Sequence, residues 1–314
     1  MRTLLVTTLL LAACGDDALD LATPDNCNPL GGSRCIAPWP SSVYEVDDAT
    51  TETGRRLAVP TNTLPTNIDN IAFDPTPYNR HDGFSSSAPM ITAFETGVDG
   101  ANLVHYSNFP ASLTDASPTV LIDMSTGELV PHFAELDARV TDAPASQALF
   151  IRSSELLKGG TRYVAAIKKS LKAKGGGELP IPDGFQALVD GEKTSHPLLE
   201  KVRPRYTEIF AALEAKGIAK SDLVVAWDFT TQSRASVRAD LVDARTVTLA
   251  MAGANGAGLN FTSTDTVQGD TRIARRIDGT FDTPLFLSNQ TATFTTKFLR
   301  DGSGKPMANG LYRV

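Results

Sequence analysis

Apolar residues first gather between Leu4 and Leu11, with Arg2 ahead of them and the small pair Ala12-Ala13 behind. The stretch is far shorter than the roughly 20 residues that span a bilayer. A basic start, a short apolar centre and small residues at its end predict a signal peptide over residues 1–13. Apolar periodicity then lapses until about residue 71. From there short β-rich runs alternate with turn residues: Met90–Phe94, then Thr119–Asp123 and Glu128–Phe133 around Gly127, then Ala148–Ile151 and Arg162–Ile167. Strands spaced in this way predict an antiparallel sandwich. Leu199, Val202, Tyr206, Ile209, Phe210 and Leu213 recur at the helical period, with Pro204 as a kink and Gly217 as a stop. Leu223–Phe229 is an apolar run of buried-strand type, and a second helix is expected from a cap at Ser233 to about Met251. Strand texture returns at Ile273–Phe281, at Ala292–Phe298 and at the carboxyl end, where Leu311 to Val314 stop without a terminal helix. The expected class is mainly β, an antiparallel sandwich with helical insertions, α+β overall.

Composition adds limits. With 41% apolar and 21% charged residues the chain has the make-up of a folded protein. Its net charge of −7 repels phosphate backbones, which argues against nucleic acid as a partner. Between Cys14 and Gly54 there are eight acids and one base, so this segment holds almost all of the net charge. Rich also in Pro, Thr, Ser and Asn, residues 14–70 are expected to form an acidic, disordered tether. A sandwich is expected over 71–250, and a β-rich segment over 251–314. The bland alternative for the tether is an irregular packed strap, favoured by Trp39 and Tyr44.

Leu11-Ala12-Ala13-Cys14 resembles the bacterial lipobox, which implies a diacylglycerol on Cys14 and a mature chain starting there. Two or three acyl chains, at about 0.8 kcal/mol per buried CH₂, anchor a protein to a membrane without spanning it. The expected place is the extracytoplasmic side of a bacterial cell envelope. In that oxidising setting Cys27 and Cys35 read first as a disulfide, with free or metal-binding thiols as the alternative.

No complete catalytic motif is present, and neither a cofactor nor a metal is implied. G-x-S-x-G is missing; Asp82-Gly83-Phe84-Ser85-Ser86-Ser87 supplies serines without the second glycine. His81, His105, His132 and His196 lack a second His at helical spacing, and none forms H-E-x-x-H. Gly302-Ser303-Gly304-Lys305 is followed by Pro306 where a phosphate loop needs Ser or Thr, so a turn is expected. Gly253, Gly256 and Gly258 reverse the dinucleotide fingerprint and read as a linker. Asp228, beside Trp227 in an apolar run, must find partners; structural hydrogen bonding and catalysis are both open to it.

Several segments in order resemble the amino-terminal region of exported bacterial lipase-like lipoproteins and related Ig-like modules. They are Asp82-Gly83-Phe84-Ser85, Ser117-Pro118-Thr119-Val120-Leu121-Ile122-Asp123 with Gly127, Leu157-Lys158-Gly159-Gly160-Thr161-Arg162-Tyr163, and Ser221-Asp222 through Thr231. The resemblance implies an Ig-like fold over about 75–250, and a hydrolase domain downstream as a partner, carried by a longer gene of which this chain would be a truncated product. It leads to a non-catalytic accessory module. Two readings compete with it: an enzyme using Asp228, His132 and Ser85, and a stand-alone adhesion or carbohydrate-binding lipoprotein, favoured by exposed aromatic residues along one sheet.

Overall fold

The computed structural model describes residues 18–31, 34–266, 271–293 and 295–314. Helix and strand take near-equal shares of a sheet-rich α+β chain, so the mainly-β expectation gives way to a mixed fold. Contacts divide the chain into two units, one up to Ser233 and one from Arg234. The division falls ahead of the expected boundary at 250, because the helix around that position belongs to the second unit.

In chain order the first unit holds β1 (Glu45–Asp47), β2 (Arg55–Leu57), β3 (Met90–Thr92), β4 (Val98–Asp99), β5 (Thr119–Asp123), β6 (Glu128–Leu129), β7 (His132–Leu136), β8 (Leu149–Ser153), β9 (Arg162–Lys168) and β10 (Lys172–Ala173). Helices α1 (Asp183–Asp190), α2 (Pro197–Val202) and α3 (Tyr206–Glu214) follow, then β11 (Leu223–Thr230). Two antiparallel sheets carry the architecture: four strands in the order β11-β9-β5-β6 and three in the order β3-β8-β7.

The long strands of the four-stranded sheet are buried on both faces: β5 and β11 along their whole lengths, and β9 at all but its two ends. That is why they read as continuous apolar runs instead of alternating ones. Register sorts their side chains. Asp123, Tyr163 and Phe229 line up across one face with Leu121, Ala165 and Trp227; Arg162 and Thr230 line up across the other with Val164 and Asp228. The first face meets the three-stranded sheet, where Thr119 Oγ1 lies 2.9 Å from His132 Nε2. The second is covered by the helical layer, with Tyr206 Oη donating to the Ala226 carbonyl at 2.8 Å. Leu199, Val202, Tyr206, Ile209, Phe210 and Leu213 are the buried stripe of α2 and α3, as their spacing predicts. Pro204 sits in a 3-10 turn, Arg203–Arg205, because its ring removes a helical N–H.

The expectation of a disordered tether over 14–70 does not describe residues 18–64. Leu21, Leu30, Val43, Tyr44, Leu57 and Val59 join the core, and β1 pairs with β2. Three of its acids are held by the fold: Asp47 pairs with Arg55, Asp48 with Arg56, and Glu45 is buried. Cys27 and Cys35 are joined in a disulfide, with Cα atoms 4.4 Å apart. Cys14 and the signal peptide expected over residues 1–13 lie outside the described residues.

The second unit comprises α4 (Arg234–Ala252), the hairpin β12 (Thr262–Thr266) with β13 (Arg276–Thr280), and the pair β14 (Asp282–Pro284) with β15 (Leu311–Arg313). Arg300 grips Asp240 of α4 with two bonds of 2.7 Å. The strand expected at Ala292–Phe298 forms only a bridge from Phe298 to Leu287, and Phe294 lies outside the described residues.

Candidate functional site

The residues first in line for catalysis are held in three separate sets of bonds. Ser85 is exposed, with its Oγ 3.1 Å from Ser87 Oγ. His132 is fully buried. Its Nδ1 lies 2.8 Å from the Val130 carbonyl and its Nε2 takes the Thr119 hydroxyl, which fits a neutral ring. Burial lowers its pKa, although both hydrogen bonds oppose that shift. Asp228 is also buried, but its partners are Ser42, Arg162 and Arg205. A nucleophile needs its base within hydrogen-bond reach, and no two of Ser85, His132 and Asp228 share such a bond.

The remaining motif residues also have structural partners. His81 Nδ1 lies 2.8 Å from Gln232 Nε2, His196 Nε2 lies 3.1 Å from the Pro24 carbonyl, and His105 Nδ1 is bonded to Ser107. Asp301 collects the backbone N–H groups of Ser303 and Lys305, so the glycine-lysine motif is an Asx-type turn. Asp82, Gly83 and Phe84 clip the end of β11: Phe84 N–H donates to Thr230 and Gln232 N–H returns to Phe84. A Cβ on Gly83 would fall 2.6 Å from the Thr231 backbone, so the glycine permits this close approach.

The densest polar assembly lies between the four-stranded sheet, α3 and the amino-terminal strap. Arg205 Nε lies 2.8 Å and Nη2 2.6 Å from Asp228 Oδ2, and Arg162 binds the same oxygen while reaching Glu208. Ser42 Oγ donates to Asp228 Oδ1 at 2.5 Å. Two residues further along β11, Thr230 gives its N–H and its hydroxyl to Glu45 at 2.6 and 3.1 Å, and Arg205 Nη2 stands 3.8 Å from that carboxylate. Lys201 Nζ caps the Val43 and Glu45 carbonyls.

Burial opposes ionisation of Asp228, yet the Arg205 and Arg162 guanidiniums outweigh it and hold the carboxyl below its ordinary range. Glu45 has the weaker cation and a like charge nearby. Its desolvation dominates and pushes it up to about 7. The assembly clamps the strap to the sheet. Sequence reading singled out Asp228 but not Glu45, Arg162 or Arg205; the signal available was an acid inside an apolar strand, which demands cations from elsewhere.

Among the described residues no group of three or more His, Cys, Asp or Glu is placed to hold a metal. None of their helices is long and apolar enough to cross a membrane. Set against protein-family models, curated proteins and solved structures, the chain gives no match.

Proposed function

We propose that the chain is a non-catalytic module of an exported, lipid-anchored bacterial protein of lipase-like type, with its first unit an Ig-like sandwich. The observation that carries the non-catalytic reading is the separation of Ser85, His132 and Asp228 into unrelated bonding sets. A resident hydrolase site would join nucleophile, base and orienting acid.

Strand order supports the Ig-like assignment. β3, β8 and β7 match strands B, E and D of that fold, while β6, β5, β9 and β11 match C′, C, F and G. Trp39 bridges antiparallel to Ile91 at the place of strand A. Tyr163, near the start of β9, accepts the Lys158 N–H on its hydroxyl at 2.9 Å, the bond of a tyrosine corner on strand F. The Cys27–Cys35 disulfide suits an oxidising, extracytoplasmic location. In this reading Cys14 carries the membrane anchor, and a downstream hydrolase domain is the partner that the module positions or covers.

The test is turnover of p-nitrophenyl butyrate by the full chain, beside Ser85→Ala, His132→Gln and Asp228→Asn variants. The expected result is no hydrolysis above the uncatalysed rate in any of the four. Hydrolysis by the parent chain that is lost in any variant would instead make the chain an enzyme.

A further inference from the structure

The outer face of the three-stranded sheet is the surface that the clamp and core leave unexplained. Alternation along β3, β7 and β8 turns Met90, Thr92, His132, Ala134, Leu149 and Ile151 inward, where all are buried. The outward positions hold Ile91, Phe133 and Phe150 beside Glu135 and Arg152. Register sets Phe133 opposite Arg152, and Phe150 opposite both Glu135 and Ile91. An antiparallel sheet with one wet face is polar on that face, so three large apolar side chains there call for an explanation.

The polar groups among them are positioned. Arg152 Nε donates to Glu135 at 2.6 Å, and its guanidinium carbon stands 4.8 Å from the Phe150 ring centre. Tyr106, 63% exposed, meets Phe133 edge-on at 6.4 Å. Beside Phe133 and Arg152 the surface sinks into a groove of about 320 Å³, whose walls add Ser86, Ser87, Glu155 and the exposed Leu156. That volume is at the lower end of the about 300–1,000 Å³ of small-molecule sites.

We propose that this groove binds a neutral pyranose unit of a glycan. A pyranose has an apolar C–H face that packs on an aromatic ring, and a rim of hydroxyls that each donate and accept. Phe133 supplies the ring surface, with Tyr106 at its edge; Arg152 supplies donors, Glu155 an acceptor, and the serines add hydroxyls that do both. Charge decides against other occupants. One guanidinium against two carboxylates, Glu135 and Glu155, leaves no positive excess to capture a phosphate or an anionic headgroup. A bare acyl chain would strand the serine hydroxyls and the ion pair without water. The site uses residues of the three-stranded sheet and its adjoining loops and is independent of the anchor at Cys14.

Isothermal titration of the full chain with maltohexaose, cellohexaose and chitohexaose tests the assignment. At least one of these probes is expected to bind, and Phe133→Ala and Arg152→Gln are each expected to weaken binding by about tenfold or more. Far-ultraviolet circular dichroism checks that both variants fold; if Phe133→Ala does not, Arg152→Gln alone carries the test. Three results would overturn the proposal: no binding heat from any probe at millimolar concentration, binding that both variants retain in full, or Phe133-dependent sedimentation with phosphatidylglycerol vesicles in place of sugar binding. Ester turnover is a separate readout, so failure here is distinct from failure of the non-catalytic reading.

Discussion

Replacing Glu45 by glutamine isolates the electrostatics of the clamp. Burial is the main cause that lifts this carboxyl from 4.5 to about 7; Asp228 adds to the rise, while Arg205 and Thr230 oppose it. The folded chain therefore binds the Glu45 proton more tightly than the unfolded chain does. The stabilisation this gives is complete below about pH 4.5 and is lost as pH rises through about 7. A span of about two and a half pH units at about 1.4 kcal/mol each amounts to about 3 kcal/mol. Glutamine can accept the Thr230 N–H without ever ionising, so Glu45→Gln should keep at alkaline pH what the parent loses. His132, lowered by burial, works in the opposite sense, but both proteins share it, and the difference between them is the readout. Urea unfolding at a series of pH values should show the two curves converging near pH 4.5 and the variant more stable by about 3 kcal/mol above pH 7. Parallel curves across that window would refute the argument.

Other perturbations read other parts of the fold. Arg205→Gln leaves Asp228 with Arg162 as its remaining guanidinium, and should cost about 3–5 kcal/mol in urea unfolding. A cost below about 1 kcal/mol would mean that Arg162 suffices. Tyr163→Phe removes the acceptor of the Lys158 N–H and should lower stability by about 1–2 kcal/mol, with the denaturant midpoint as the measure. An unchanged midpoint would remove the tyrosine-corner argument. Cys27→Ser with Cys35→Ser opens a loop of sequence separation 8 and should cost about 2 kcal/mol, seen as a fall in Tm that reducing agent reproduces in the parent.

Much of the first unit was legible because its strands are compact apolar runs. Thr119–Asp123 is observed at the expected residues, and β9 and β11 each exceed expectation by one. The run Glu128–Phe133 was legible as strand but not as two. Pro131 cannot donate to a ladder, and there the chain leaves β6 for β7 in the other sheet. Short α1 is hard to read from the sequence because it spans only eight residues, little more than two turns, and has no side-chain cap to mark its start. The strap was the least legible part. Its buried residues are irregularly spaced, and Glu45 looks solvated until Arg205, far along the chain, is brought against it. Only tertiary structure reveals that Glu45 faces Arg205 and Thr230. The same holds for the site residues. Asp228 was visible as an acid that needed partners, whereas the outward Phe133, Phe150 and Arg152 become a single face only through strand register.

The proposed export and anchoring rest on Cys14, and intact mass spectrometry of the protein recovered from bacterial membranes tests them directly. The account predicts a mature chain that begins at Cys14 and carries a diacylglycerol, with Cys14→Ser abolishing both the added mass and membrane retention. An unmodified chain that retains Met1, or one cut elsewhere and released without lipid, would contradict it.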